Sequence, residues 1–264
     1  METKNFLVLF LSLTFLFPGC LEEEKKVIGV MVAVESEFRP FMDLWNFGSS
    51  RAIENLTFYF DDKNDREVVV VRTGPGKVNA AIATTMLINE FDVDYIIFAG
   101  TSGGLNETLS IGDIVISRDL FQYDYGMRTD EGFEHWDIEI SNETSCFYLE
   151  ADEGLREISL TASVNFNRVD GRIINRVEGR IATADEFATG EEFFGWISRF
   201  DANCVEMEGA AVAQVCYKLG KPFLVVRTVS DTPREEDSFE TFQRYAYEVS
   251  QNTALLVDAI VQKL

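Results

Sequence analysis

Short apolar runs alternate with helical patterns along most of this chain, and the alternation limits the folds that are open to it. A run that is apolar on both faces is typical of a parallel strand that is covered on both sides. Apolar residues at helical spacing separate the runs. The predicted strands are Val27–Val34, Val68–Val71, Tyr95–Ala99, Asp113–Ile116 and Phe223–Val229. The alternation predicts an α/β fold with a mainly parallel sheet.

Three helices are predicted among and after these strands. The first is Val78–Glu90, the second is Glu206–Leu219, which ends before Gly220, and the third is near the carboxyl terminus. The apolar positions are Val78, Ala81, Ile82 and Met86 in the first helix and Phe239, Phe242, Ala246, Val249, Leu256 and Ile260 in the last. The chain shows no internal repeat and no domain boundary after Lys26, so residues 27–264 are predicted to form one domain.

Charge and composition exclude several classes of protein. The 264 residues are 46% hydrophobic, which excludes a disordered chain, and their net charge of −22 disfavours binding to nucleic acid. The four cysteines lack zinc-site spacing, and the single histidine, His135, lies in a polar stretch typical of a surface loop. A histidine-based metal site and a Ser-His triad are therefore excluded. We expect neither a metal nor an organic cofactor.

The first twenty residues are predicted to be a signal segment. Phe6–Phe17 is apolar but too short to span a bilayer comfortably, Lys4 precedes it, and Gly19 and Cys20 follow it. A cysteine after a small residue resembles a lipoprotein signal, in which Cys20 is lipidated and residues 21–26 form a charged tether. We expect export and anchoring to the outer face of the cell membrane. A plain cleaved signal, an uncleaved anchor and a cytoplasmic location are the alternatives.

Ligands of parallel α/β sheets bind beyond the carboxyl ends of the strands. Five segments occupy such positions, and they are Glu35–Glu37, Thr73–Gly76, Gly100–Gly104, the residues from Ser117 onward, and Ser230–Asp231. The glycines of Gly100–Gly104 would let a ligand approach the backbone, although a tight turn explains them equally well.

Carboxylates near these segments are candidates for chemistry. Asp231 at the mouth of a buried strand could donate a proton if it is desolvated, or it could cap a helix. Glu208 could hold two adjacent hydroxyls, or it could complement the helix dipole together with Glu206. Strand alternation would direct only one of Glu35 and Glu37 towards the site, where it could act as a general base on water.

Several motifs, in the same order along the chain, resemble the nucleoside phosphorylase and nucleosidase superfamily. The resemblance is strongest to the methylthioadenosine/S-adenosylhomocysteine nucleosidases. The segments are Ile28–Glu37, Thr73–Ala81, Gly100–Gly104, Ile111–Val115, Thr183–Phe187, Val205–Ala211 and Val226–Asp231. Together they span most of residues 27–264. The resemblance implies a three-layer α/β/α sandwich that forms a homodimer and binds a purine nucleoside.

The resemblance also assigns roles to individual residues. It makes Asp231, oriented by Ser230, the acid that protonates the purine. Glu208, beside Met207, would hold the ribose hydroxyls, and Glu37 would activate water.

The remaining assignments concern the water, the base and the 5′ substituent. Arg227 and Thr101 would lie near the water, and Ser102 and Gly103 would contact the substrate. Phe187 would stack on the base, the Ala188 backbone would recognise the purine edge, and Phe239 would line the pocket for the 5′ group.

The sequence leaves alternatives for the nucleophile, for catalysis against binding alone, and for the 5′ substituent of the substrate. Glu37 would repel phosphate, which favours hydrolysis over phosphorolysis. A binding lipoprotein would not need Glu37 or Asp231, which favours an enzyme. The 5′ substituent is undetermined, because Val34 replaces a methionine common in the family and Phe121–Cys146 matches no family segment. An exported enzyme could instead salvage external purine nucleosides.

The cysteines other than Cys20 raise one structural question. Cys216 is expected to lie in the core as a small apolar residue. Cys146 and Cys204 could form a disulfide in an oxidising compartment.

Overall fold

A computed structural model describes residues 25–234 and 237–264. The strands are β1 (Lys26–Val32), β2 (Ser49–Ile53), β3 (Leu56–Lys63), β4 (Arg66–Arg72), β5 (Tyr95–Gly104), β6 (Ile114–Gln122), β7 (Gly126–Thr129), β8 (Gly132–His135), β9 (Ile138–Ser141), β10 (Thr144–Cys146), β11 (Leu149–Glu150), β12 (Arg176–Thr183), β13 (Cys204–Glu206) and β14 (Phe223–Asp231). The helices are α1 (Glu35–Leu44), α2 (Lys77–Phe91), α3 (Glu153–Thr161), α4 (Glu191–Ile197), α5 (Gly209–Leu219) and α6 (Ser238–Val261). The predicted signal segment, with Cys20, lies outside the described residues, whereas Lys26 of the predicted tether begins β1.

Ten strands form one mixed sheet in the order β11-β6-β12-β13-β5-β1-β4-β3-β2, and β14 pairs with both β5 and β6. Strands β4, β1, β5 and β14 are mutually parallel, as are β6, β12 and β13. Antiparallel pairs join these two groups, so that β5, β14, β6, β12 and β13 close into a ring. The predicted α/β fold with a mixed sheet is confirmed.

Helices pack on the sheet in two groups. Helices α1 and α3 pack against α6, which lies on β14 and β5, and α2 packs against α5, which contacts β6 and β12. The main core consists of buried aliphatic and aromatic side chains between these helices and the strands. A second cluster, rich in aromatic residues, lies beside α4.

Some predicted boundaries were wrong, because strand pairing extends past two apolar runs and a helix begins at the end of a third. Gly100–Gly104 is not a loop but the end of β5, where its backbone pairs with β14 on one side and β13 on the other. Ser117 lies buried in the middle of β6, and its hydroxyl accepts the Val225 N–H at 3.0 Å, so it is not at a strand end. Val34 does not extend β1 but precedes α1.

The helices also differ from the sequence-based expectation. Helix α5 begins at Gly209, so Glu206 ends β13 instead of starting the helix. In α2 the predicted apolar face is not the core face, because Val78 is 69% and Ile82 50% exposed. The buried side chains of α2 are Ala80, Ala83, Thr84, Leu87 and Ile88.

The histidine and two of the cysteines also differ from the sequence-based expectation. His135 is not in a surface loop but in β8, half-buried among aromatic rings, and burial lowers its pKa. The possible Cys146–Cys204 disulfide was wrong, since both cysteines are free. Cys216 is buried as expected.

Residues 25–234 and 237–264 contain no cluster of side chains suited to holding a metal ion. Their helices include none that is long and apolar enough to cross a membrane.

Candidate active site

A cavity of about 450 Å³ lies where the carboxyl ends of β1, β5 and β14 meet the start of α6. It brings together four of the five segments predicted from strand ends, and only Ser117 is absent. Its lining residues are Ala33, Val34, Glu37, Pro75, Thr101, Ser102, Gly103, Glu186, Phe187, Ala188, Val205, Glu206, Met207, Glu208, Ser230, Asp231, Pro233, Phe239 and Phe242. No lysine, arginine or histidine is among them in the described part of the chain.

Glu37 lies in the first turn of α1, not on a strand, and the residue is 4% exposed. One oxygen accepts the N–H groups of Ala33 at 2.9 Å and Val34 at 3.1 Å. The other accepts the N–H and the hydroxyl of Thr101, both at 2.8 Å. Glu35, two residues earlier, is exposed and pairs with Arg72. The turn of a helix, not strand alternation, therefore selects Glu37 for the cavity.

Asp231 ends β14 and is buried. The Ser230 hydroxyl donates to one carboxylate oxygen at 2.7 Å, and the Ser238 hydroxyl donates to the other at 2.5 Å. Both serines are fully buried. Ser238 opens α6, and sequence reasoning missed it because only the fold brings α6 to the end of β14. The two hydroxyls fix the orientation of the carboxyl group.

Glu208 lies between β13 and α5, with one carboxylate oxygen accepting the Gly76 N–H at 2.8 Å. The other oxygen is 3.3 Å from Nη2 of Arg227. Burial raises the pKa of Glu208 to about 8. Arg227 opposes this effect, and the Glu206 carboxylate adds to it. Glu208 is therefore poised near neutral pH, so a positive charge that develops beside it would favour its ionised form.

Arg227 is fully buried in β14 and does not line the cavity. Its Nη2 bonds to Glu206, and its guanidinium lies 4.3 Å from the centre of the Phe98 ring. Nε and Nη1 have no hydrogen-bond partner among the described residues. Arg227 thus lies behind the carboxylates.

An aromatic wall closes one side of the cavity. Phe187 meets Phe239 edge to face at 5.2 Å between ring centres, and Phe242 lies 5.8 Å from Phe187. Phe187 and Phe239 are 41% and 47% exposed. Such exposure at a cavity mouth suits rings that contact a ligand. Phe242 shared the apolar spacing of α6 in the sequence, which gave no sign that it would leave the core.

The structure therefore assembles almost all of the predicted site. Glu37, Glu208, Asp231, Ser230, Met207, Phe187, Ala188, Thr101, Ser102, Gly103 and Phe239 all line one cavity, whereas Arg227 lies behind it. Glu206, Ser238 and Phe242 were missed as site residues, because only the fold shows which side chains they contact. Gly76 was expected only as part of the segment Thr73–Gly76.

Comparison with known proteins identifies the class of this fold and site. Residues 27–262 match the family model of the phosphorylase superfamily. The chain belongs to this superfamily.

Relatives of this chain within the superfamily have more specific activities. A 5′-methylthioadenosine/S-adenosylhomocysteine nucleosidase of Staphylococcus aureus is 35% identical, over 90% of this chain and 100% of that protein. The nucleosidase of the same name from Colwellia psychrerythraea is 34% identical, over 87% and 93%. The Helicobacter pylori nucleosidase of that name superimposes with a TM-score of 0.80, 26% identity and coverage of 92% and 100%. Futalosine hydrolase of the same organism has a TM-score of 0.79, 26% identity and coverage of 91% and 99%.

Proposed function

We propose that this protein hydrolyses the N-glycosidic bond of a purine nucleoside, releasing the free base and the ribose moiety. The cavity with Glu37, Glu208 and Asp231 on its wall is the observation that carries the proposal. The relatives that act on methylthioadenosine and S-adenosylhomocysteine support it. A binding protein would need an apolar pocket and hydroxyl acceptors, but not two further buried carboxyl groups.

The reaction separates charge, and the site is built for that separation. Positive charge develops on the ribose and negative charge on the departing purine. Asp231, held by Ser230 and Ser238, protonates the purine and so improves the leaving group. Glu208 accepts hydrogen bonds from the ribose hydroxyls and stabilises the positive charge that develops on the ribose. Glu37 takes a proton from the attacking water, and each proton transfer contributes roughly 10²–10⁴-fold.

Water is favoured over phosphate as the nucleophile. A phosphate site needs cationic groups, and the cavity wall carries carboxylates instead. The Arg227 guanidinium behind the wall is already bonded to Glu206 and Glu208. A phosphate dianion placed beside Glu37 would meet like charge in a poorly hydrated environment. Phosphorolysis is thus the less favoured alternative.

Replacing Glu37 with Gln tests this assignment directly. We expect purine release to fall by at least about 10²-fold, since the general base is lost. Nucleoside affinity should stay within about threefold, because Glu37 is not assigned to substrate binding. Free base is measured for a panel of nucleosides with and without phosphate. Full activity of the variant, or a wild-type rate that depends on phosphate, would contradict the proposal.

The substrate class follows from the aromatic wall. Phe239 and Phe242 offer an apolar surface to the 5′ substituent, which favours a 5′-alkylthio group over a free 5′-hydroxyl. We propose 5′-methylthioadenosine, S-adenosylhomocysteine or a related adenosine derivative as substrate. Ranking 5′-thio against 5′-hydroxy nucleosides by kcat/KM checks this order.

We also propose export and anchoring through a lipidated Cys20, on the basis of the amino-terminal sequence. An enzyme outside the cell would meet salvaged purine nucleosides before intracellular ones. Fractionation of cells that express the full chain tests the anchor. The wild type should partition with membranes and be released by detergent, whereas Cys20→Ser should not. A wild-type protein in the cytoplasmic fraction would rule the anchor out.

A further inference from the structure

Glu206 is a buried carboxylate to which the proposed reaction gives no role. It is 6% exposed at the end of β13. Its oxygens accept the Glu208 N–H at 3.0 Å and the Gly209 N–H at 2.9 and 2.7 Å. They also bond to the Thr183 hydroxyl and to Nη2 of Arg227. Interaction with the helix dipole accounts for the backbone contacts only.

We infer that Glu206 is a positioning residue, which holds Glu208 in the geometry that binds the two ribose hydroxyls. The inference rests on the proposed function. Glu206 acts on both the backbone conformation of Glu208 and the ion pairing of its carboxylate.

The effect on the backbone is at the turn from β13 into α5. Glu208 has φ −140° and ψ −36°, and its side chain makes no capping bond to the helix. The Glu206 carboxylate takes over that task by accepting the free N–H groups of Glu208 and Gly209. Glu208 is thereby released to bind the Gly76 N–H and to line the cavity. The Glu208 side chain occupies the N-cap position but is not needed to cap α5, so it is free to contact a ligand.

The effect on ion pairing involves Arg227. This buried guanidinium lies 3.3 Å from a Glu208 oxygen, and without a second partner it would form a full ion pair with Glu208. Such a pair would occupy the oxygens that a diol needs. Glu206 binds the same nitrogen, Nη2, so the positive charge of Arg227 is shared between two carboxylates. Glu208 keeps the capacity to accept hydroxyl donors.

A comparison of two substrates tests the inference. The Glu206→Gln variant is assayed with adenosine and with 2′,3′-dideoxyadenosine, which lacks the diol. We expect kcat/KM for adenosine to fall at least tenfold more than kcat/KM for the dideoxy substrate. Glu208→Gln should give the same loss of discrimination, and adding Glu206→Gln to it should reduce discrimination little further. Equal losses on both substrates, or unchanged discrimination, would overturn the inference.

Controls separate positioning from folding. Glu35→Gln removes an exposed carboxylate of α1 and should change neither rate. Where Glu206→Gln does not fold, Thr183→Val serves, because it keeps both buried charges and removes one donor to Glu206. It should reduce discrimination in the same direction, by about threefold, and unchanged discrimination would count against the inference. A wild type that hydrolyses neither of these nucleosides nor 5′-methylthioadenosine would instead contradict the proposed function.

Discussion

Gly100 illustrates how a single residue can shape this site without a side chain. It lies in β5 opposite Arg227 of β14. A methyl group added there would lie 1.9 Å from Nη1 of Arg227 and 2.9 Å from a Glu37 oxygen. The glycine therefore leaves the space through which the guanidinium reaches the carboxylates.

Gly100→Ala should impair both activity and stability. Arg227 is fully buried and cannot swing into solvent. We expect a loss of about 1–3 kcal/mol in the free energy of unfolding from overpacking. The displaced groups should lower kcat/KM by about 10²-fold. Urea titration and kinetics measure the two effects. Gly195→Ala, on an exposed part of α4 with no neighbouring atoms, is the control and should be close to neutral.

Glu208 gives a pH-dependent prediction at the same scale. Its pKa is about 8 in the folded protein, against 4.5 for the ordinary carboxyl group. Between these values the folded state binds more protons at this group than the unfolded chain does, so its contribution to the free energy of unfolding falls as pH rises.

Glu208→Gln should remove this contribution. The free energy of unfolding of the variant minus that of the wild type should therefore increase between about pH 4.5 and pH 8. Denaturant titrations across this range measure it, with Glu35→Gln as a control that lacks burial. A difference that does not change with pH would show that Glu208 is not shifted upward.

Among the elements, α6 contributes to both the core and the site. Its later turns are buried against the sheet, whereas its start places Phe239 and Phe242 at the cavity and Ser238 against Asp231. The same apolar spacing runs through both parts. Neighbouring elements, not the spacing, determine which residues face a ligand.

Ser238→Ala should weaken catalysis through the orientation of Asp231. Loss of one hydroxyl donor should reduce kcat about tenfold, equivalent to about 1.4 kcal/mol in the barrier. Ser250→Ala, in the same helix, is the matched control, since the buried Ser250 hydroxyl has no hydrogen-bond partner among the described residues. If both variants keep the wild-type kcat, Ser238 has no part in positioning the acid.

At the scale of the whole molecule, the exposed apolar side chains of α2 are a candidate contact surface for a second copy of the chain. Val78 and Ile82 lie one turn apart and are both half or more exposed. Neighbouring exposed apolar side chains are candidates for contact with a second protein surface. We propose a homodimer, which the family resemblance also implies, with this face as part of the interface.

The pair of substitutions Val78→Glu and Ile82→Glu should convert the proposed dimer to a monomer, because each protomer would bring two carboxylates into the interface, where they would be desolvated. Light scattering after size-exclusion chromatography measures the mass. Ile173→Glu, which alters an apolar side chain 70% exposed between α3 and β12, should leave the dimer intact. A wild type that elutes as a monomer would refute the homodimer.

Sequence alone predicted the fold class of this protein and the three carboxylates that line its candidate site. Apolar runs and helical spacing are local patterns, and the ordered motifs carried Glu37, Glu208 and Asp231 with them. Tertiary structure decided the partners. The Gly76–Glu208 bond spans 132 residues and the Thr101–Glu37 bond spans 64, and no local pattern encodes such distances. Glu206 had a local explanation at a helix start, and its contact with Arg227 exists only because β13 and β14 both flank β5. Residues close together in the chain determine where helices and strands form. The pairing of strands in the sheet determines which charged side chains come into contact.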